Sequence, residues 1–435
     1  MGLNVTRTVL VLGIGLLLWP ATPGSAGQQE PDDTRVEALL AERRARLAEV
    51  EPADDSAIVR MLTTIENDGF DQIVTVQAGH FRFGFGQISP ASGGTPAIQY
   101  ERPRLGATPL TLRTAAAYSL RGYQAYDLQF GVFDRPAPYP FAGDGFLGAP
   151  FDFDNRSVAP LDELLYLDAH YQRFPKEEFF GVGPASSNAD RSRYAIERGG
   201  VDLVAGYQPV RWLAVSGRVG LVRVETGPGD GDRFPDTGVR FAPDTAPGIG
   251  EQTDFFRVSS GVYAAWAGDP TVPALELGVE ASRYEDRDGG RYSFNRVSVD
   301  ARGFLPLGSR QRTIAVRVFA SRDDTDPGAQ VPFYLMETIG GSETLRGFRD
   351  FRFRDANVLY LSGEYRWEAT AGIDLAVFYD TGKVFPDASD FGLDDLRHTI
   401  GFGIRGKSLR RTVFRLDVGK GDEGTHVFLA FGPAF

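Results

Sequence analysis

Apolar and polar residues alternate with a period of two along most of the chain, from about residue 70 to its end. Residues 110–119, 213–221 and 314–318 each place apolar side chains on one face and polar or small side chains on the other. Alternation over about ten residues is typical of strands that cross a membrane, because strands of soluble sandwiches are usually about 5–6 residues long. The pattern therefore predicts an all-β fold, a transmembrane antiparallel β-barrel of about sixteen strands.

The connections between these segments fall into two groups. Short connections are predicted at residues 106–109, 208–210, 268–270, 305–308 and 369–372, whereas residues 227–252 and 322–354 form long polar connections. Short turns at one end and long loops at the other are typical of outer-membrane barrels.

The N-terminal region differs from the rest of the chain. Arg7 precedes an apolar run at residues 9–19, and Gly24-Ser25-Ala26 supplies small residues at the cleavage positions, which predicts a signal peptide over residues 1–26 with cleavage near Ala26. Residues 27–69 are predicted as a short periplasmic helical or linker segment, either a plug or lid at the barrel mouth or a mobile tail. Residues 70–435 are predicted to form the barrel. Export of a β-barrel protein predicts the bacterial outer membrane.

Composition excludes several kinds of site. The chain contains no cysteine, so disulfides and thiolate metal sites are excluded, and its four histidines are scattered. The net charge of −12 argues against a nucleic-acid partner. Neither a nucleophile elbow nor a metal motif is present, so we expect no enzymatic activity, no cofactor and no metal.

Residues 340–367 combine a glycine-punctuated polar loop, which contains two phenylalanine–arginine clusters, with an alternating strand. On that strand the lipid face is predicted to consist of Leu359, Leu361, Tyr365 and Trp367, which turns Glu364 inward. The next strand is predicted to present Ile373, Leu375, Val377 and Tyr379 to lipid, which turns Asp374 and Asp380 inward. A cationic loop residue could therefore reach carboxylates in the lumen, and arginine suits two carboxylates better than lysine.

The segment GGSETLRGF resembles the sixth extracellular loop of the BamA/TamA superfamily, which includes the bacterial surface antigen proteins. In that superfamily the loop folds back into the lumen, and the arginine of an R-G-F/Y motif meets acidic residues on neighbouring strands. Arg346-Gly347-Phe348 matches this motif, Asp380 lies in a match to the F-x-D-x-G strand motif, and Glu364 matches a second acidic position. The resemblance thus implies a lumenal loop latch formed by Arg346, Gly347, Phe348, Glu364 and Asp380.

The resemblance covers residues 70–435. Residues 178–184 look like the F-F/Y-G-x-G segment of the surface antigen proteins, and residues 401–405 and 413–417 look like their last strands. Residues 27–69 are too few for a POTRA domain, so the chain resembles the members that lack these domains. Phe431 and the terminal Phe435 lie on the apolar face of the last strand and resemble the aromatic signal for outer-membrane assembly.

Two functions are compatible with this sequence. The first, implied by the resemblance, is an assembly or translocation barrel that moves or inserts polypeptide or lipid, with a weak seam between its first and last strands. The alternative is a passive pore or a structural, surface-exposed barrel with acidic loops. The expected partners are outer-membrane lipids and lipopolysaccharide, a client polypeptide or lipid, and the barrel-assembly machinery.

Overall fold

The computed structural model describes residues 75–133, 163–231, 233–266, 273–308, 312–370, 372–407 and 412–431. All of these belong to one compact unit, Asp55–Phe435. The predicted signal peptide, the predicted segment 27–69 and Phe435 lie outside the described residues, so they remain predictions.

The described residues are mainly β-strand. The strands are β1 (Thr75–Ala78), β2 (Phe81–Gly86), β3 (Thr95–Arg102), β4 (Thr111–Tyr118), β5 (Gln124–Val132), β6 (Glu163–Phe179), β7 (Ser192–Val210), β8 (Leu213–Pro228), β9 (Gln252–Trp266), β10 (Ala274–Asp286), β11 (Phe294–Pro306), β12 (Arg312–Thr325), β13 (Glu337–Ile339), β14 (Phe353–Asp355), β15 (Asn357–Thr370), β16 (Ile373–Phe385), β17 (Arg397–Lys407), β18 (Thr412–Gly421) and β19 (Gly424–Phe431). Short helical turns cover Asn188–Asp190, Thr237–Arg240, Phe333–Leu335 and Ala388–Asp390. None of the helices in this part of the chain is long and apolar enough to span a membrane.

The strands form one large antiparallel sheet and one small hairpin. Each strand of the large sheet pairs with the next along the chain, β12 pairs with β15, and β13 and β14 pair with each other. The pairings run in chain order from β1 through β12 to β15 and on to β19, so that β1 and β19 are the first and last strands of the barrel wall. The large sheet has 17 strands, of which β1 has only four residues. The prediction of a barrel with about sixteen strands is thus confirmed.

The outer face of the barrel is apolar. Val215, Val262 and Val279 lie side by side on β8, β9 and β10, and all three are exposed. On β16, Val377 and Tyr379 point outward, whereas Asp374 and Asp380 are buried on the inner face. Strands with apolar residues outside and polar residues inside are the transmembrane form of the β-barrel.

The connections separate by length as expected. At one end, β7 and β8 are joined by residues 211–212 and β15 and β16 by residues 371–372. At the other end, residues 229–251 join β8 to β9, and residues 326–356 join β12 to β15 and contain β13 and β14. Residues 326–356 are called the lumenal loop below, and the end where they lie is called the loop end.

Loops pack into two apolar clusters inside the loop end. One cluster joins strands β6 to β9 with several loops and includes Tyr123, Phe179, Tyr194, Phe255 and Phe333. Phe333 contacts the rings of Phe179 and Tyr194 at centroid distances of 4.9 and 4.8 Å. In the other cluster, Phe348 and Phe353 of the lumenal loop pack against Val358 and Tyr360 of β15. The lumenal loop thus has its own apolar core against the inner wall.

The apolar outer face gives a test of membrane contact. Replacing Val262 by arginine places a charge in the apolar band, so we expect the free energy of unfolding in lipid vesicles to fall by about 2–4 kcal/mol. Urea titration of the vesicle-inserted protein measures this change. Val262→Leu, which keeps the surface apolar, is the control, and equal stabilities of the two variants would show that this face does not meet lipid.

Candidate functional site: a buried arginine network

The lumenal loop passes very close to the inner wall at the R-G-F motif. The backbone N–H of Gly347 donates to Thr399 Oγ1 on β17, 3.1 Å away. A Cβ atom on Gly347 would lie 2.5 Å from the Gly421 nitrogen, and one on Gly419 would lie 2.3 Å from the carbonyl oxygen of Arg346. Both positions therefore require glycine, because real Cβ atoms do not approach backbone atoms this closely.

Arg346 is buried between two strands of the wall, with 1% of its surface exposed. Its Nε donates to Asp380 Oδ2 at 2.9 Å and its Nη2 donates to Asp380 Oδ1 at 2.8 Å, which is a bidentate pair. Its Nη1 donates to Glu364 Oε2 at 2.8 Å. The guanidinium also stacks on the ring of Phe378, 3.4 Å from the centroid.

The register between β15 and β16 places both carboxylates beside Arg346. Glu364 on β15 is paired with Phe378 on β16, and Asp380 is paired with Ser362. All four therefore point to the same side of adjacent strands, the inner one. Ser362 Oγ donates to Asp380 Oδ1 at 2.7 Å, so this carboxylate has a neutral donor beside its arginine.

The predicted residues thus come together, although Leu359 on the predicted lipid face is buried. Phe348, the third residue of the motif, is fully buried and forms an edge-to-face contact with Phe353 at 5.1 Å. Phe431 ends β19, but its side chain and Phe435 lie outside the described residues. The assembly-signal prediction therefore stays a prediction.

The network contains further residues that the sequence reasoning missed. Arg405 on β17 donates from Nη2 to both carboxylate oxygens of Glu364, at 3.1 and 3.0 Å, and its Nη1 lies 2.6 Å from Asp417 on β18. Arg415 donates from Nη1 to Asp417 Oδ2 at 2.8 Å and also contacts Glu343 of the lumenal loop. The alternation could have found Arg405 and Asp417, because their neighbours Ile404 and Leu416 are apolar and so predict outward positions.

Charge is balanced across the whole network. Its four arginines and four carboxylates are Arg346, Arg366, Arg405, Arg415, Glu343, Glu364, Asp380 and Asp417. Arg366 donates from Nε to Glu364 Oε1 at 2.7 Å. All of these groups except Glu343, whose side chain is 64% exposed, are largely buried. A buried ionised group is tolerated only when it is paired and hydrogen-bonded, and each of the seven buried groups is paired in this way. The described residues contain no cluster of three or more His, Asp or Glu side chains that could hold a metal ion.

Two comparisons relate this geometry to known proteins. A model of the Omp85 superfamily domain matches residues 254–420, a region that includes all eight residues of the network. The fold is similar to BamA from Haemophilus ducreyi lacking POTRA domains 1–3, with a TM-score of 0.55, 14% identity, and coverage of 81% of this chain and 69% of that chain. It is also similar to CdiB from Escherichia coli, with a TM-score of 0.51, 12% identity, and coverage of 81% and 62%. A search of curated protein sequences gives no significant match.

The domain match and the barrel architecture agree with the resemblance seen in the R-G-F loop. Residues 254–420 of this β-barrel thus match the Omp85 superfamily domain, and the described strands share the barrel fold of BamA and CdiB.

Proposed function

We propose that this barrel moves or inserts polypeptide or lipid at the outer membrane, and that Arg346 acts as a latch that holds the lumenal loop against the inner wall. The observation that carries the proposal is the burial of Arg346 between Asp380 and Glu364. A loop fixed in this way stays packed against the inner wall while the latch is made. The match of residues 254–420 to the Omp85 superfamily domain supports assembly or translocation as the general class of activity.

The energetics favour a latch over an incidental loop contact. Removing one partner of a buried ion pair leaves a buried charge without compensation, which costs about 3–5 kcal/mol. Arg346 reaches two carboxylates at once, so its loss affects both Asp380 and Glu364. The cost of breaking the contact is concentrated at one loop residue, as a latch requires.

The packed loop end argues against the alternative of a passive pore. An open channel needs a wide polar mouth, whereas here aromatic side chains and the lumenal loop fill part of the loop end. Phe179, Tyr194 and Phe333 are buried inside the barrel wall rather than facing an aqueous channel. This packing supports a gated barrel over a permanently open one.

Replacing Arg346 by alanine is expected to lower the free energy of unfolding by about 3–5 kcal/mol, because Asp380 and Glu364 lose their shared partner. The fraction of folded barrel in membranes should fall with it. Heat-modifiability on gels and urea titration measure both effects.

Arg223→Ala is the matched control for this experiment. Arg223 also makes a bidentate pair with an aspartate, Asp254, at 2.7 and 2.8 Å, but its side chain is 63% exposed. An exposed pair contributes about 0–1 kcal/mol. If Arg346→Ala costs no more than Arg223→Ala, the latch is wrong.

Planar-bilayer recording separates the latched barrel from the passive pore. We expect wild-type protein to give small, brief openings, because the lumenal loop and its aromatic side chains occupy part of the loop end, and Arg346→Ala to give larger and longer ones. A large steady conductance of the wild-type protein would instead support the passive pore.

Two carboxylates in the lumenal loop make its stability depend on pH. Burial raises the pKa of Asp350 to about 6, and the nearby Glu178 and Glu343 add to the rise. Burial also raises the pKa of Asp355 to about 6, with a contribution from Asp387. In an unfolded chain both pKa values are about 3.9, so the folded loop binds protons more tightly. Its stabilisation is therefore lost as pH rises from about 4 through about 6.

We expect the thermal midpoint of the wild-type barrel in vesicles to be lower at pH 7.5 than at pH 5, because Asp350 and Asp355 ionise in a buried place. The double variant Asp350→Asn, Asp355→Asn should show a smaller change over the same interval. Circular dichroism melts at the two pH values measure this difference. An equal pH dependence of the two proteins would rule out these groups as its cause.

A further inference from the structure

A groove of about 690 Å³ runs across the outer face of the barrel wall, over strands β5 to β9, and is called the outer groove below. Its floor includes Gly199 of β7, which points outward and is paired with Tyr171 of β6 on one side and with Arg223 of β8 on the other. Because neighbouring strands are about 4.8 Å apart, Tyr171 and Arg223 stand about 10 Å apart, with only glycine between them.

The outer groove lies at the edge of the apolar band. Toward the short turns, the next outward row across β5 to β8 is apolar and consists of Leu128, Ala169, Val201 and Leu221. Toward the loop end, the next outward row is charged, and Arg173 Nε lies 2.8 Å from Glu197 Oε1. Aromatic residues flank the apolar band of a membrane barrel at both interfaces, and Tyr171 occupies that position here. One part of the groove therefore faces acyl chains, and the other faces lipid headgroups.

Arg287, which directly follows β10, supplies a free cation at the rim of the outer groove. The rim carboxylates already have donors, because Asp254 accepts from Arg223 at 2.7 and 2.8 Å and Asp288 accepts the backbone N–H of Asp254 at 2.7 Å. The exposed side chain of Arg287 has no hydrogen bond or ion pair with any residue that the structure describes. A guanidinium in this position suits a phosphate, which it can bind with two parallel hydrogen bonds.

The opposite rim offers groups that suit a sugar. The rings of Tyr126 and Tyr171 stack at a centroid distance of 6.1 Å, and both residues are exposed. The Tyr171 hydroxyl donates to Glu197 Oε2 at 3.0 Å, and the Tyr126 hydroxyl donates to Gln124 Oε1 at 3.3 Å. Both phenol oxygens keep lone pairs that can accept hydrogen bonds from sugar hydroxyls.

We propose that the outer groove binds lipid A, the phosphorylated disaccharide lipid of the outer leaflet. An acyl chain lies over Val201 and Leu221, a sugar ring lies over Gly199, and a phosphate pairs with Arg287. The long loops place this end of the barrel at the outer leaflet. The polar rim from Tyr126 on β5 to Asp254 on β9 covers four strand spacings, about 19 Å, which suits a disaccharide with two phosphates better than one phosphoglycerol. The inference does not depend on the latch, since the groove and the lumen lie on opposite faces of the wall.

Filling the outer groove tests the site directly. A Cβ atom on Gly199 would meet only the His170 carbonyl oxygen at 3.4 Å and Tyr171 Cδ2 at 3.5 Å, so Gly199→Leu keeps an apolar outer face and should fold. We expect its affinity for lipid A to fall by about tenfold or more, because the leucine side chain occupies the place of the sugar ring. Native mass spectrometry of the purified barrel, titrated with diphosphoryl lipid A in detergent, measures the affinity, and heat-modifiability checks folding.

Removing the free cation tests how the phosphate is held. We expect Arg287→Ala to weaken lipid A binding by about tenfold, the effect of losing hydrogen bonds to a charged group. Wild-type binding should persist in EDTA, because arginine rather than a bridging divalent cation holds the phosphate.

Two matched variants serve as controls. Gly363→Leu fills another outward glycine position, on β15, where a Cβ atom would meet nothing within 4 Å. Arg291→Ala removes a 66% exposed arginine that pairs with Glu251 at the same end of the barrel. Both variants should bind lipid A with wild-type affinity.

Each contrary outcome rejects a stated part of the proposal. Unchanged lipid A affinity of folded Gly199→Leu would overturn the site, and so would an equal loss in Gly363→Leu. Phosphatidylethanolamine or phosphatidylglycerol that binds as tightly and competes with lipid A would overturn the choice of a glycolipid. Binding that is lost in EDTA but unchanged in Arg287→Ala would overturn the role of Arg287. These measurements record binding alone, so a failure of the proposed latch would not alter them.

Discussion

A guanidinium buried inside a barrel is stable only when carboxylates of the barrel wall pair with it, and the rest of this structure depends on that constraint. Arg346 has 1% of its surface exposed, so water cannot replace a missing partner. Two adjacent strands therefore present Asp380 and Glu364, and a further arginine, Arg405, balances Glu364 on its other side. Once these positions are set, the path of the lumenal loop follows.

The same constraint acts on residues that carry no charge. Gly347 and Gly419 have no side chain where the loop backbone meets β18, because a Cβ atom there would collide with backbone. A Cβ atom on Gly403 of β17 would lie 2.2 Å from Asp417 Oδ1, so its absence leaves room for the ion pair. Phe378 supplies an aromatic face under the guanidinium, which adds a cation–π contact to the hydrogen bonds.

The fold was predictable from the sequence because a barrel wall has only two faces. Alternation assigns each strand residue to one face or the other, which placed Glu364 and Asp380 inside correctly. What alternation does not determine is how far apart in the lumen two inward residues lie, since this depends on the stagger between strands. The ion pairs of Arg405 and Arg415 with Asp417 were missed for this reason. The hydrogen bond from Arg352 to Ser186, which lies 166 residues away in sequence, was missed as well. Contacts made by the loops depend on their detailed paths, and no periodic pattern encodes those paths.

A double-mutant cycle between Arg346 and Asp380 tests the central claim most directly. Unfolding free energies of the wild type, Arg346→Ala, Asp380→Ala and the double variant, measured in vesicles, give the coupling between the two side chains. The buried bidentate geometry predicts a coupling of about 2 kcal/mol or more, whereas the exposed Arg223–Asp254 pair should give less than about 1 kcal/mol. A coupling near zero for Arg346 and Asp380 would contradict the claim that this ion pair holds the lumenal loop against the inner wall.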